Sequence, residues 1–201
     1  EQLKNRIRDQ ADQFDDSWYR DLREHILEDI TLEPSSDDPF TVRNVLPVLR
    51  ETMAPDDVLI SDVGSHKMRI AQNYLTYEPN TCIISNGLAS MGISVPGGIA
   101  ADIATDGGFL MNGAELETAT RIGCDYTILL FNNNDYGLIS EKQHAHRGET
   151  YGTSLSNPDY LTFAESFGID GYRPTDWDEL RHTLEQTIPT QGMALVEVPL
   201  D

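Results

Sequence analysis

Residues 106–139 read DGGFLMNGAELETATRIGCDYTILLFNNNDYGLI, and their order of signals decides the fold. Asn112 followed by Glu115 resembles a capping box, and Ala114, Leu116, Ala119 and Ile122 lie on or near one face of the helix that follows. Gly123 supplies the stop. The run Tyr126 to Phe131 is short and continuously apolar, as in a parallel strand buried on both faces. Asn132, Asn133, Asn134 and Asp135 stand where that strand ends.

In a parallel sheet the loops after neighbouring strands emerge at one edge, so Asp106 and Asn133, 27 positions apart, are able to converge there. One carboxylate with amide and carbonyl oxygens makes a hard, all-oxygen site of low charge. Such a site suits Mg²⁺, which takes few protein ligands when phosphates complete its shell. The N–H groups of Gly107 and Gly108, before a helix and without Cβ atoms, suit a phosphate. On turn chemistry alone, DGG and NNND equally suit ordinary turns.

Outward from this stretch, the chain alternates strand and helix. Residues 1–30 place Leu3, Ile7, Phe14, Trp18, Leu22, Ile26 and Ile30 at helical spacings amid charge, predicting an amphipathic helical segment that ends a preceding domain. Residues 31–40, TLEPSSDDPF, read as a linker, and 41–201 as the main domain. There the signals predict a helix after Thr41, a strand at 58–61, a helix through Met68, Ala71 and Tyr74, a strand at 82–84 and a helix over 88–104 interrupted by Pro96-Gly97-Gly98. Asn157-Pro158 then predicts a helix start that runs to Phe167-Gly168, Asp176 a second, and 194–198 a last strand. The alternation implies an α/β doubly wound parallel sheet with helices on both faces and its ligand at the carboxyl edge. Three further turns, DVGSH, SNGLASMG and NNNDYG, put glycine beside small polar residues at that edge. The polar segment 140–156, with His144, His146 and Arg147, suits an active-site flap or a solvated loop.

Thirty-four acidic residues against 14 basic ones give a net charge of -20, which excludes the basic footprint of a nucleic-acid binder. The acids are scattered rather than gathered in a tail. Neither a signal peptide nor an apolar run of membrane-spanning length is present, so a cytoplasmic, membrane-free protein is expected. Cys82 and Cys124 sit in apolar or glycine-flanked settings and read as reduced core thiols.

With these residues in view, the chain resembles the cofactor-binding domain of thiamine diphosphate (ThDP) dependent enzymes, whose signature is Gly-Asp-Gly followed at 24 to 27 residues by Asn-Asn. Asp106-Gly107 and Asn132-Asn133 match it. Within that superfamily SDVGSHKM, YEPNTCIISNGLASMG, DGGFLMNGAELETA and SNPDYLTFAESFG are most similar to acetolactate synthase, particularly its flavin-independent type, with FAD left open. The resemblance implies Mg²⁺ held by Asp106, Asn133 and the carbonyl of Asp135. It implies a diphosphate held by Ser65, His66, Gly107, Gly108, Gly137 and Leu138, within a cofactor site that also takes in Gly64 and Ile139. Met91 matches the residue wedged between the two ThDP rings, and the Ala89 carbonyl the acceptor for the 4′-amino group. Lys142 and Gln143 match substrate-facing positions. The implied reaction decarboxylates pyruvate or a related 2-oxoacid and condenses the product with a second one to give 2-acetolactate. Alternatives are another ThDP-dependent decarboxylase or carboligase, or a non-catalytic subunit that keeps the fold.

Two departures from the pattern stand out. Residues 102–105 hold no apolar run and Thr105 replaces the first glycine, so no strand is expected before Asp106, and roughly ten residues look absent there. Lys142 stands where biosynthetic acetolactate synthases have a tryptophan that favours 2-ketobutyrate; a flexible cation offers no such apolar wall, so pyruvate is the expected acceptor, with the 2-ketobutyrate reaction left open. The glutamate that activates the cofactor belongs in the family to a pyrimidine domain with no counterpart here. The resemblance therefore implies a partner domain, a homodimer or homotetramer, and a chain inactive by itself.

The dispersed acidity fits a protein working at high salt, where self-repulsion is screened. Raising KCl from about 0.1 M to about 1 M shortens the Debye length from about 10 Å to about 3 Å. The expected outcome is a rising thermal midpoint and loss of fold on dialysis to low salt; a midpoint indifferent to salt would assign the acidity to an ordinary cytosolic enzyme.

Overall fold

The computed structural model describes residues 17–31, 33–98 and 103–200, with the side chains of Trp18 and residues 103–107 outside that description. Helix α1 (Ser17–Ile30) belongs to one compact unit, and the α/β domain from Glu33 onward forms the other. Along α1, Tyr19, Leu22 and Ile26 are all exposed. No helix among the described residues is long and apolar enough to cross a membrane.

Among the described residues the α/β domain is built on six parallel strands in the order β2-β1-β3-β4-β6-β5. These are β1 (Leu59–Ser61), β2 (Cys82–Ile84), β3 (Ile103–Thr105), β4 (Tyr126–Asn132), β5 (Asp170–Tyr172) and β6 (Met193–Pro199). Side chains alternate between faces along a strand, and the two cores divide accordingly. Leu129, Phe131, Val196 and Val198 pack on one face against α2 (Val42–Thr52), α3 (Ser65–Asn73) and α9 (Trp177–Thr187). Ile128, Leu130 and Leu195 pack on the other against α4 (Ser94–Gly97), α5 (Asp106–Asn112), α6 (Leu116–Ile122) and α8 (Tyr160–Glu165). The remaining helix, α7 (Gly137–Arg147), has no buried residue. Helices thus cover both faces, as the alternation predicts.

Local chemistry explains the boundaries. Thr41 caps α2 by accepting from the Asn44 N–H at 3.2 Å, and Asp176 caps α9 through the Glu179 N–H at 2.8 Å. Gly123 ends α6 at φ 71, a left-handed conformation that suits glycine. Residues 33–40, read as linker, are fastened to the domain: Phe40 meets Trp177 edge-on at 4.7 Å, and Trp177 Nε1 donates to the Asp38 carbonyl. Cys82 and Cys124 are free thiols, and burial pushes Cys82 up.

Several expectations are corrected. A strand does precede Asp106: β3 pairs Ile103, Ala104 and Thr105 with Leu129, Leu130 and Phe131, and Ser61 of β1 with Ile103. A strand flanked on both sides is held by backbone hydrogen bonds, which need no apolar sequence. Of the helix expected over 88–104, residues 99–102 lie outside the described residues; before them only α4 is α-helical, because Gly92 takes φ 82 and Leu88 is 94% exposed. Asn112 is not a capping box; α5 has already begun at Asp106, and the Asn112 amide donates to the Gly92 carbonyl. Asn157 caps nothing either. Asp159 caps α8 through the Thr162 N–H, and Asn157 Nδ2 donates to Asn132 Oδ1 and Asn134 Oδ1. Part of 140–156 is helical, as α7 runs on to Arg147 with His144, His146 and Arg147 in its last turn, where the Arg147 cation offsets the negative end of the helix dipole. Strand β5 had no periodic signal; it lies at the sheet edge, and a Cβ on Gly171 would meet Leu161 Cα at 3.0 Å.

Core depth makes a prediction. Leu130 is fully buried, so Leu130→Ala is expected to cost about 2–5 kcal/mol in urea unfolding, whereas Leu88→Ala is expected to stay within about 0.5 kcal/mol. Equal effects would contradict the placement of β4 at the centre of the sheet.

Candidate functional site

Two strand ends supply the site. After β1, residues 62–64 turn into α3, whose first residues are Ser65 and His66. After β4, the asparagine run folds on itself: Asn132 Oδ1 accepts from the Asn134 N–H at 3.0 Å and Asn133 Oδ1 from the Asp135 N–H at 3.2 Å. Such Asx turns allow a short loop, and Asn134 takes φ 55 as asparagine tolerates. Helix α7 then starts at Gly137. The first turns of two helices thereby face one cleft at the carboxyl edge of the sheet, lined by Gly64, Ser65, His66, Met91, Asn133, Asp135, Gly137, Leu138 and Ile139 among others. Its volume is about 90 Å³.

The lining suits an anion. Helix first turns carry unsatisfied N–H groups and the positive end of the dipole. A Cβ on Gly137 would stand 3.2 Å from Asn133 Nδ2 and 3.6 Å from Ser65 Oγ, so glycine lets the two halves approach. His66 is 1% exposed, and neither ring nitrogen has a hydrogen-bond partner. Burial pushes its pKa down to about 4, against a smaller upward pull from the Asp62 main chain, which neither nitrogen reaches with hydrogen-bond geometry; Lys67 lowers it further. Buried polar atoms without partners are rare and call for one. Asp135 Oδ1 is a second such atom at the same cleft. A neutral imidazole beside helix N-termini, with amide and carboxylate oxygens opposite, matches a diphosphate joined to a hard cation.

Most of the residues singled out in the sequence meet here, and some do not. Asp106 opens α5 directly after β3, and Thr105 pairs with Phe131, so its backbone lies at the same edge as Asn132. The side chains of Asp106 and Gly107 lie outside the described residues. Among the described residues, no group of three His, Cys, Asp or Glu side chains is placed to hold a metal. Gly108 does not line the cleft; a Cβ there would meet Asp62 Oδ2 at 2.7 Å, so its contact is with a carboxylate. Ala89, half-buried at φ 49, also lies off the cleft. Lys142 is exposed, and Gln143 is engaged elsewhere: its Oε1 accepts from the Tyr151 N–H at 2.7 Å and its Nε2 donates to the Tyr151 carbonyl.

Two carboxylates that sequence reasoning missed hold these loops. Asp62, fully buried, accepts from the N–H groups of Val63 and Gly92 and from the Ser94 hydroxyl. Glu197, 3% exposed, accepts from Asn132 Nδ2 at 2.7 Å and from Arg173 Nε at 2.8 Å. The Glu197 bond holds the Arg173 guanidinium above its ordinary range. An acid inside the apolar run ALVEV was the available signal for Glu197.

Comparison with known proteins accords with this geometry. Residues 62–198 match the family described as thiamine pyrophosphate enzyme, C-terminal TPP binding domain. Acetolactate synthase of Bacillus subtilis (strain 168) is 31% identical over 163 residues, 76% of this chain and 29% of that protein. Acetolactate synthase isozyme 2 large subunit of Escherichia coli (strain K12) is 32% identical over 169 residues, covering 78% and 31%. A putative thiamine pyrophosphate-containing protein, YdaP, of Bacillus subtilis is 31% identical over 191 residues, covering 90% and 32%. The chain spans about a third of the length of these relatives.

The His66 environment sets a pH dependence. Between about 6.5 and about 4 the unfolded chain binds a proton that the folded one refuses, so stability is present above that window and is lost as pH falls through it. The expected loss is on the order of 3 kcal/mol in urea unfolding. His66→Gln, which does not ionise, is expected to flatten that slope; an unchanged slope would contradict a buried neutral imidazole.

Proposed function

This chain belongs to the thiamine pyrophosphate enzymes and carries their carboxyl-terminal cofactor-binding domain, and we propose that it is the Mg-ThDP-binding part of an acetolactate synthase-like enzyme. The observation that carries the proposal is the His66 imidazole, buried without a partner at a cleft where the first turns of α3 and α7 meet. The relatives named acetolactate synthase support the choice of reaction.

In this reading the N–H groups of α3 and α7 at Ser65, His66, Gly137 and Leu138 would hold the diphosphate, and Gly107 and Gly108 would join them only if the start of α5 moved, since Gly108 packs against Asp62. Asp106, Asn133 and the Asp135 carbonyl hold Mg²⁺, an all-oxygen set of low charge. Met91 would support the cofactor from the ring side, and the Ala89 carbonyl, off the cleft as it stands, would accept a hydrogen bond from the exocyclic amino group. Bound ThDP supplies the electron sink for decarboxylating a 2-oxoacid, a chemistry the side chains themselves lack. What the chain contributes is position: fixed dipoles at the diphosphate, a wedge at the rings and an apolar wall of Leu138 and Ile139 that limits water. Lys142 and Gln143 would reach substrate only after Gln143 leaves Tyr151. A pyrimidine-binding domain, supplied within a homodimer or homotetramer, provides the activating carboxyl group, so the chain by itself binds cofactor weakly and turns over little. Pyruvate is the proposed donor and acceptor, and the cytoplasm the proposed compartment. A second reading, another ThDP-dependent decarboxylase or carboligase, is favoured by the similarity to YdaP across 90% of the chain.

Calorimetric titration of ThDP, with and without Mg²⁺, tests the site. Heat is expected only with Mg²⁺, and Asp106→Ala is expected to abolish the magnesium requirement together with most of the affinity. Binding indifferent to both magnesium and the substitution would sink the metal assignment. Acetolactate formation from pyruvate by the full-length enzyme separates the two reaction readings.

A further inference from the structure

Asp62 is the most enclosed carboxylate of the described residues, 0% exposed, yet it does not line the cleft. Its oxygens face donors from three directions. Oδ1 accepts from the N–H groups of Val63 at 2.6 Å and Gly92 at 2.9 Å; Oδ2 accepts from the same Gly92 N–H at 3.0 Å and from Ser94 Oγ at 2.9 Å. Gly108, in the first turn of α5, packs so closely that a Cβ there would meet Oδ2 at 2.7 Å. Gly92 is held on its carbonyl side as well, since that oxygen, in the next peptide group, accepts from Asn112 Nδ2 at 2.8 Å. Gly92 cannot readily move or be replaced, for at φ 82 a Cβ would stand 2.7 Å from Asn112 Nδ2 and 3.0 Å from the Gly108 carbonyl.

The residue before Gly92 is Met91, and Met91 does line the cleft. We infer that Asp62 is a positioning residue: by clamping the Gly92 N–H while Asn112 holds the Gly92 carbonyl, it sets Met91 against the ring side of the cofactor cleft. The loop from Asn86 to Ile93 has little else to hold it, with Leu88 94% exposed and Ala89 in a left-handed conformation. The carboxylate accepts at both oxygens; an amide in its place would turn Nδ2 towards the Gly92 N–H or the Ser94 hydroxyl, and only the hydroxyl can turn to accept, so part of the clamp is lost. The same carboxylate abuts the helix that begins with Asp106, so the ring-side wedge and the metal-side turn share one internal reference point. The effect on cofactor binding rests on the ThDP reading above; the effect on Met91 does not.

The test uses the whole chain with methyl-¹³C methionine, the Met91 signal being identified by Met91→Leu. Asp62→Asn is expected to shift and broaden the Met91 methyl resonance and leave that of Met193, at the start of β6, in place. In calorimetry the same variant is expected to lose about tenfold in affinity for Mg-ThDP but to keep its affinity for Mg-pyrophosphate, which lacks the rings, within about twofold. Asn112→Ala releases only the carbonyl side of Gly92 and is expected to move Met91 in the same way, which keeps the inference open to refutation should Asp62→Asn not fold. An unmoved Met91 signal, or equal losses for ThDP and pyrophosphate, would overturn it. A wild-type chain that binds neither ligand would sink the ThDP reading instead, and the Met91 resonance would then decide the role of Asp62.

Discussion

The site depends first on the pairing of β4 with β6, seven parallel register pairs from Tyr126↔Met193 to Asn132↔Pro199. Because the alignment is parallel, each strand delivers its following loop to the same edge, and the two cores on opposite faces keep the strands from slipping. A shift by one residue would exchange Leu129 and Phe131 with Ile128 and Leu130 and mismatch both cores at once. Glu197 fixes the same register chemically. It bonds Asn132 across the strands and Arg173 beyond them, so the asparagine turn leaves β4 from a defined height.

An acidic protein that holds an anionic group needs positive potential without many cations. With a net charge of -20, this chain is a poor general receptor for phosphate. The cleft answers with groups that carry no formal charge. Two helix first turns present N–H groups, and burial keeps His66 a neutral ring. Fixed dipoles are short-ranged, so they act on a ligand already seated and leave the surface repulsive to others. Neutral donors also spare the cleft the large cost of burying unpaired charge.

Much of this was legible in the sequence, and the failures have physical reasons. The apolar run Tyr126 to Phe131 announced a buried central strand because both its faces are covered. Thr41, Gly123 and Asp176 acted as their local chemistry predicts, since nothing tertiary competes for them. Asn112 and Asn157 did not, because each amide found a partner distant in sequence: the Gly92 carbonyl for Asn112, and the side chains of Asn132 and Asn134 for Asn157. Strand β3 was invisible because its pairing is a backbone property of two neighbours rather than of its own side chains. In the site, Gly64, Ser65, His66, Asn133 and Gly137 were readable as turn residues after strands. Asp62 was quoted within such a turn, but its role depends on contacts 30 residues away, which no local pattern encodes.

The strand order also carries a consequence for how the chain is made. Strand β6 follows the other five described strands in sequence, yet it lies between β4 and β5. Until residues 193–199 leave the ribosome, β5 has no neighbour in the sheet, β4 has an open edge, and Asn132 lacks Glu197. Parallel pairing between distant segments is slow, and an unpaired edge invites association with other chains. Until then the central strand β4 keeps one side unpaired, and the arrival of β6 both covers that side and brings Glu197 to Asn132.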